Sequence, residues 1–364
     1  MPSPDLTRPL RGAVIGLGMI GRHHARLLQI SPRVEFAGAV DPGGDRFGVV
    51  HDEGKLFADI DSLLRAGPPD FAIVAVPTEE HLATVRVLAP KGIHVLVEKP
   101  LAATSVEARA IIEACNAAGV HGAVGHVERF NAALLRLRDM AHVKQELGQI
   151  FLIATERIGP FPDRIRDVGV IKDLATHDLD LVHWLGGAPV ERVTAEIQHR
   201  MGREHEDVVM ATGRLENAIS FNCIVDWLSP TKVRRTRVLG ELGMLVADTL
   251  TADLTFYKNG IVTSDWTAAQ ALRGVTEGDM IRFALSRREP LLVELETFCD
   301  LIAGDAQAGV VTLAQGLETV IVAEAALESA QAGSTVAMAG ARLERPEADR
   351  QAQTAGLDAP RRSL

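Results

Sequence analysis

The sequence predicts an α/β chain. Its first third reads as a doubly wound parallel sheet, and the remainder as an α+β domain on a large open, mostly antiparallel sheet. Three observations carry this. Short apolar, β-branched runs alternate with helical segments up to about residue 126, as parallel strands covered on both faces require. A glycine triplet, Gly16, Gly18 and Gly21, stands where the first strand meets the first helix. Beyond residue 127, runs of alternating pattern succeed one another without intervening helices, which is an antiparallel habit.

Taken in order, "RGAVIG" (11–16), "VEFAGAVD" (34–41), "FAIVAVP" (71–77), "IHVLVEKP" (93–100) and "VHGAVGH" (120–126) are the predicted parallel strands. Between them, "GRHHARLLQI", "EEHLATVRVLAPKG" and "SVEARAIIEACNAAG" read as helices; in the last, Val106, Ala110, Ile111 and Ala114 keep helical period up to Gly119. The second part opens with the helical "VIKDLATHDLDLVHWLGG" (170–187). Strands follow at "ERVTAEIQHRM", "DVVMATGRL", "AISFNCIVDWL", "TKVRRTRVLG" and "LTFYKNGIVT", then helices around "PLLVELETFCDLIAG" and "LAQGLETVIVAEAALESAQAG". The expected organisation is a tail at 1–9, a dinucleotide-binding domain at 10–126, a substrate and oligomerisation domain at 127–340, and a polar, disordered tail at 341–364.

Composition narrows the function. A net charge of -10 argues against a nucleic-acid partner. No apolar run reaches membrane-spanning length, and "MPSPDLTRPLR" lacks a signal core. Cys115, Cys223 and Cys299 have no paired or metal-type spacing. The expectation is a soluble, reduced, cytoplasmic protein.

Gly16-x-Gly18-x-x-Gly21 follows a strand and opens a helix, and Asp41 ends the next strand about 20 residues past the last glycine. Those glycines, with Met19 and Ile20 between them, would bring backbone N–H groups to a pyrophosphate. Asp41 would accept from the adenosine ribose and repel a 2′-phosphate, so the expected cofactor is NAD. Pro77, Thr78, His81, Glu98 and Lys99 cluster at the ends of the next two strands, where an open α/β sheet places its ligands. His23 and His24 read as packing or surface residues.

In the helix at 170–187, Asp173, His177 and Asp180 fall at spacings of four and three, which stacks them on one face. Asp178 falls off that face and reads as structural. Asp and His four apart can bind zinc. His183, however, lies about 120° round the helix from His177, and no cysteine is near, so no metal is expected.

"GLGMIGRHHARLL", "VEKP" and "KDLATHDLD" together resemble the Gfo/Idh/MocA family of nicotinamide-dependent sugar oxidoreductases, over residues 10 to 335. The resemblance implies a Rossmann domain followed by an open-sheet domain. It places the family's catalytic lysine on Lys99 and its Asp-x-x-x-His pair on Asp173 and His177. An imidazole has the right acidity for a general base and an ammonium can stabilise an alkoxide, so Lys99 and His177 form the expected catalytic pair with Asp173 in support. Which of the pair takes the proton stays open at this point. "VGHVERFNAALLRL" and "ERIGPFPDRIRDVGVIKDLATHDLDL" resemble the UDP-N-acetylglucosamine 3-dehydrogenases, although Ala175 stands where many family members have glycine.

A nucleotide sugar needs its diphosphate held, and Arg129, Arg157, Arg164 and Arg166 flank the helix in sequence, with Asn131 as a sugar contact on resemblance. Trp184 and Trp227 read as core. The substrate is expected to be a small sugar or nucleotide sugar, oxidised at the 3-hydroxyl of UDP-N-acetylglucosamine. Alternatives are a cyclitol or unactivated sugar, an NAD-dependent glycosidase, or a nucleotide-sensing regulator like the yeast galactose repressor. An open sheet needs cover, so a homodimer or homotetramer is expected.

Overall fold

The computed structural model describes residues 8–161, 168–260 and 276–338. The elements begin with β1 (Leu10–Ile15), α1 (Gly21–Ile30), β2 (Val34–Val40), β3 (Leu56–Phe57), α2 (Ile60–Ala66), β4 (Phe71–Val74) and α3 (His81–Leu88). Next come β5 (His94–Glu98), α4 (Ser105–Ala118), β6 (Gly122–Gly125), α5 (Ala132–Arg138), β7 (Ile150–Pro160) and α6 (Thr176–Gly186). The remaining strands of the second part are β8 (Val190–Gln198), β9 (Val208–Leu215), β10 (Ser220–Asp226), β11 (Leu228–Gly240), β12 (Gly243–Asp248), β13 (Asp253–Gly260) and β14 (Thr276–Phe283). Helices α7 (Pro290–Ile302) and α8 (Leu313–Ala332) and strand β15 (Val336–Ala337) complete the described chain.

Two compact units result. Of the described residues, the first unit holds those up to 127 and 289–321, and the second those from 128 to 288 and from 322 onward. The expected contiguous domain at 127–340 is therefore corrected: α7 returns to the first unit. The reason is apolar. Leu291, Leu295, Phe298, Cys299 and Ile302 of α7 join the core of Val14, Leu27, Leu28, Phe71 and Ile73, with Phe298 edge-on to Phe71 at 5.8 Å. Of the two expected tails, residues 1–7 and 341–364 lie outside the described residues, while Arg8 donates to both Asp70 oxygens.

The first unit holds a six-stranded parallel sheet in the order β3-β2-β1-β4-β5-β6, a doubly wound arrangement with its switch point between β1 and β4. The alternation of strands and helices predicted this. The two-residue β3 and the short α2, which the apolar pattern did not reveal, cover its edge. Helix α4 is closed at its start by a capping box, in which Thr104 and Glu107 satisfy each other's backbone N–H groups.

The second unit holds a nine-stranded sheet in the order β14-β13-β12-β11-β7-β10-β9-β8-β15. Among the described residues β7 and β10 pair in parallel and the other neighbours antiparallel. Helix α6 packs on β7 and β10, and Ile153, Thr155, Arg157, Phe221, Cys223 and Val225 are buried on those strands. The opposite face stays open. There Met210 pairs with Ile224, and Tyr257 with Met280, each more than 40 % exposed. No described helix is long and apolar enough to cross a membrane.

One buried group in the first unit makes stability depend on pH. Glu294 of α7 is 2 % exposed, and neither of its carboxylate oxygens has a hydrogen-bonding partner. Burial, then the nearby Glu98 charge, pushes its carboxyl well above the usual range. The folded state thus keeps a proton that the unfolded chain releases. Stability is full below the ordinary carboxylate pKa and falls, by up to about 1.4 kcal/mol per pH unit, as pH rises toward the folded value. Glu294→Gln, neutral and of the same size, should raise the Tm, and by more at about pH 8 than at about pH 5. Equal or lower melting temperatures at both would show that Glu294 carries its charge in the fold.

Candidate active site

In the first unit the glycine turn leaves β1 at the switch point. Gly16 has φ +96°, and a Cβ there would lie 2.5 Å from the Ala75 carbonyl oxygen. At Gly21 a Cβ would come within 1.9 Å of the Gly16 carbonyl oxygen. Gly18 is the opposite case: it is exposed, with nothing within 4 Å of an added Cβ, so its backbone can be approached. Side chains cap α2, α4 and α5, from Asp59, Thr104 and Asn131, but none caps α1. A helix start of this kind can receive an anion. Asp41 accepts from Leu17 N at 2.8 Å and from Gly43 N at 2.7 Å, which ties the β2 end to the glycine turn. These residues fit a dinucleotide: a turn only glycine can make, an uncapped helix start and a carboxylate beside it.

Next to this turn, Pro77 is exposed and Thr78 half-buried after β4, and Lys99 is half-buried directly after β5. Two expected cofactor contacts are placed otherwise. His81 is buried, and its two ring nitrogens face the Val76 and Leu101 carbonyls, each at 3.1 Å. Burial lowers its pKa, and the neutral ring, with one N–H, donates to one of these two carbonyls inside the fold. Glu98 is also buried. Its Oε1 lies 2.7 Å from Nε2 of His24, and its Oε2 accepts from Lys99 N at 3.1 Å. His24, read as a packing or surface residue, is buried and packs its ring against this carboxylate.

In the second unit, a π-helical turn at Ile171–Ala175 leads into α6. Such turns recur where function sets side-chain direction. Asp173 lies in it, four residues before His177. Within α6 all residues are buried except His177 and Trp184. The expected polar face therefore divides. Asp173 and His177 are half-buried, whereas Asp180 is 1 % exposed and held by a bidentate ion pair: Arg129 Nε and Nη2 donate to it at 2.7 and 2.6 Å. Asp178 is structural, as its spacing predicted. It accepts from Arg157 Nε at 2.5 Å, and Arg157 Nη1 donates to Glu128 at 2.9 Å. Burial raises the Asp178 carboxyl, with Arg157 pulling it back.

Three residues read as substrate contacts are accordingly engaged inside the fold. Arg129 and Arg157, both 4 % exposed, neutralise carboxylates of α6, because a buried aspartate needs a charged partner. Asn131 caps α5 through Ala133 N and donates to the Thr249 carbonyl at 3.1 Å. Arg164 and Arg166 lie outside the described residues. Trp227 is core, edge-on to Phe161 and beneath Arg203; Trp184 is half-buried, with Arg129 and Arg138 over its ring. Among the described residues no group of three or more His, Cys, Asp or Glu could hold a metal.

Glu206, absent from the expected set, holds the start of the helix. Its carbonyl accepts from Val170 N and its Oε1 from Ile171 N, both at 3.0 Å. It lies between two strands in "GREHED", and no local pattern marks it. Gly169 makes room: a Cβ there would lie 2.0 Å from both Glu206 carboxylate oxygens.

The first part of the chain, residues 10–126, matches the family model of the oxidoreductase family NAD-binding Rossmann fold, and residues 121–246 match the GFO/IDH/MocA C-terminal domain. The chain belongs to the GFO/IDH/MocA family. Within it, the chain is 29 % identical over 327 residues to UDP-N-acetylglucosamine 3-dehydrogenase of Acidithiobacillus ferrooxidans, covering 88 % of this chain and 99 % of that protein. A solved structure of that enzyme superposes with a TM-score of 0.75, covering 89 % of this chain and 99 % of the other. Similarity to an inositol 2-dehydrogenase of Leifsonia xyli is 29 % over 206 residues, covering 55 % of this chain and 60 % of that protein. As a GFO/IDH/MocA oxidoreductase, the chain binds NAD with its Rossmann domain.

Gly169→Ala should displace the Glu206 carboxylate from the Ile171 amide and destabilise the protein by about 1–3 kcal/mol. Thermal melting measures this. An unchanged Tm would mean the carboxylate is dispensable to the helix start.

Proposed function

We propose that this family member oxidises a secondary alcohol of a sugar to a ketone, and that its substrate is UDP-N-acetylglucosamine, oxidised at the 3-hydroxyl. What supports the substrate is the extent of the similarity: the relative with that activity is matched over 99 % of its length, whereas the inositol 2-dehydrogenase above is matched over 60 %. Bound NAD⁺ supplies the hydride acceptor. In this reading His177 takes the hydroxyl proton, Lys99 stabilises the developing alkoxide, and Asp173 orients the imidazole. Its support is that His177, with Trp184, is what α6 leaves unburied, and that Lys99 directly follows β5, whose last residue Glu98 meets His24 of α1. Asp41 selects NAD by its charge, and Gly16, Gly18, Met19, Ile20, Gly21, Pro77 and Thr78 line the cofactor.

Purified protein with NAD⁺ and UDP-N-acetylglucosamine should form NADH. Lys99→Met and His177→Asn should each lower kcat by about 10²–10⁴-fold, with NAD⁺ binding retained. Turnover of myo-inositol with none of the nucleotide sugar would replace the substrate. Cleavage of a glycosidic bond without NADH accumulation would replace the reaction.

A second reading concerns assembly. The open sheet face carries Met210, Ile224, Leu239, Tyr257 and Met280, all exposed and large. Large apolar side chains gathered on one exposed sheet face mark an interaction surface. The chain is proposed to be a homodimer or homotetramer joined through this face. Gel filtration at micromolar concentration should show a dimer or larger, and Met210→Lys with Ile224→Lys should give a monomer. A monomeric parent protein would refute the assembly.

A further inference from the structure

The buried pair of His24 and Glu98 has no part in the chemistry above, yet it joins two functional elements. His24 sits on α1, three residues beyond Gly21, in the helix that the glycine turn opens. Glu98 ends β5, the residue before Lys99. One Glu98 oxygen meets the His24 ring at 2.7 Å and the other accepts from the Lys99 backbone at 3.1 Å. Behind the carboxylate is Gly125 of β6, where even a Cβ would lie 3.1 Å from the Glu98 carboxyl carbon. The carboxylate therefore has little room to turn.

We propose that Glu98 is a positioning residue for Lys99, and that His24 transmits the position of the dinucleotide-binding helix to it. The inference rests on the reading of Lys99 as catalytic. An anion drawn to the start of α1 fixes that helix; the helix fixes the imidazole, the imidazole fixes the carboxylate, and the carboxylate fixes the backbone that carries the ammonium. Burial opposes a charge on Glu98, and the His24 hydrogen bond and the Lys99 charge outweigh it, holding the carboxyl below its usual range. The other groups facing Glu98 are Glu294 on α7, a source of negative repulsion once ionised, and His81 at the start of α3. A pair kept for stability alone would be a poor device. Apolar residues of similar volume often serve as well as a buried ion pair.

The test compares four variants for kcat, KM for NAD⁺ and Tm. His24→Leu removes the ring nitrogens, His24→Gln keeps one donor, Glu98→Gln keeps the shape without the charge, and Lys99→Met controls for the catalytic reading. Because a misplacement of about 1 Å can lower a rate about 100-fold, His24→Leu and Glu98→Gln should lower kcat by about 10- to 100-fold. KM for NAD⁺ should stay within about threefold. His24→Gln should recover most of the kcat lost in His24→Leu. The double variant His24→Leu/Glu98→Gln should fall no further than the worse single one, since both break one chain. Parental kcat in His24→Leu, or a loss confined to Tm or to KM for NAD⁺, overturns the coupling. Should His24→Leu not fold, Glu98→Gln with parental kcat overturns it alone. If Lys99→Met is inactive while these variants are not, the positioning role falls and the catalytic one stands. Turnover retained in Lys99→Met removes the catalytic reading itself.

Discussion

Charge buried in a low-dielectric interior must be neutralised, and in the second unit that requirement fixes how α6 is turned. Asp178 and Asp180 are about 200° apart around the helix at roughly 100° per residue. Each is buried and each meets an arginine from a different segment, Asp178 from β7 and Asp180 from the turn ahead of α5. Two ion pairs on two sides leave the helix no free rotation. His177, the residue before Asp178, is then held half-buried, with Asp173 one turn earlier in the Glu206-held start. Breaking one partner of such a pair would leave an uncompensated charge, which is why these arginines are bound to structure and not free for ligand phosphate.

The same constraint shapes the first unit differently. There a carboxylate, Glu98, is held by an imidazole and a backbone amide, while a second carboxyl, Glu294, is pushed well above the usual range by burial and then by the Glu98 charge. One negative charge is thus kept beside the strand end that bears Lys99. The glycine turn needs no charge at all. It works by removing side chains where backbone must approach backbone, at Gly16 and Gly21, or ligand, at Gly18.

Family membership and these local geometries point the same way from independent starts. The Rossmann domain supplies the NAD site by backbone shape, and the second unit supplies a half-buried imidazole on a helix otherwise closed by ion pairs. Fold alone would not give chemistry, since this architecture serves many functions. The proposed chemistry rests on Lys99, Asp173 and His177.

The sequence by itself determined the layer order, the glycine turn with Asp41, the strand that leads to Lys99 and the helix bearing Asp173 and His177. Each is a local pattern of period or spacing, readable within one element. It also identified Asp178 as structural. Only the tertiary structure decided that α7 belongs to the first unit, because the apolar face of a helix does not name the core it joins. Likewise Arg129 meets Asp180 across 51 residues, Arg157 meets Asp178 across 21, and His24 meets Glu98 across 74. An arginine beside a candidate site looks the same in sequence whether it awaits a phosphate or neutralises a buried carboxylate. What separates the two is desolvation, and desolvation exists only once the chain has folded.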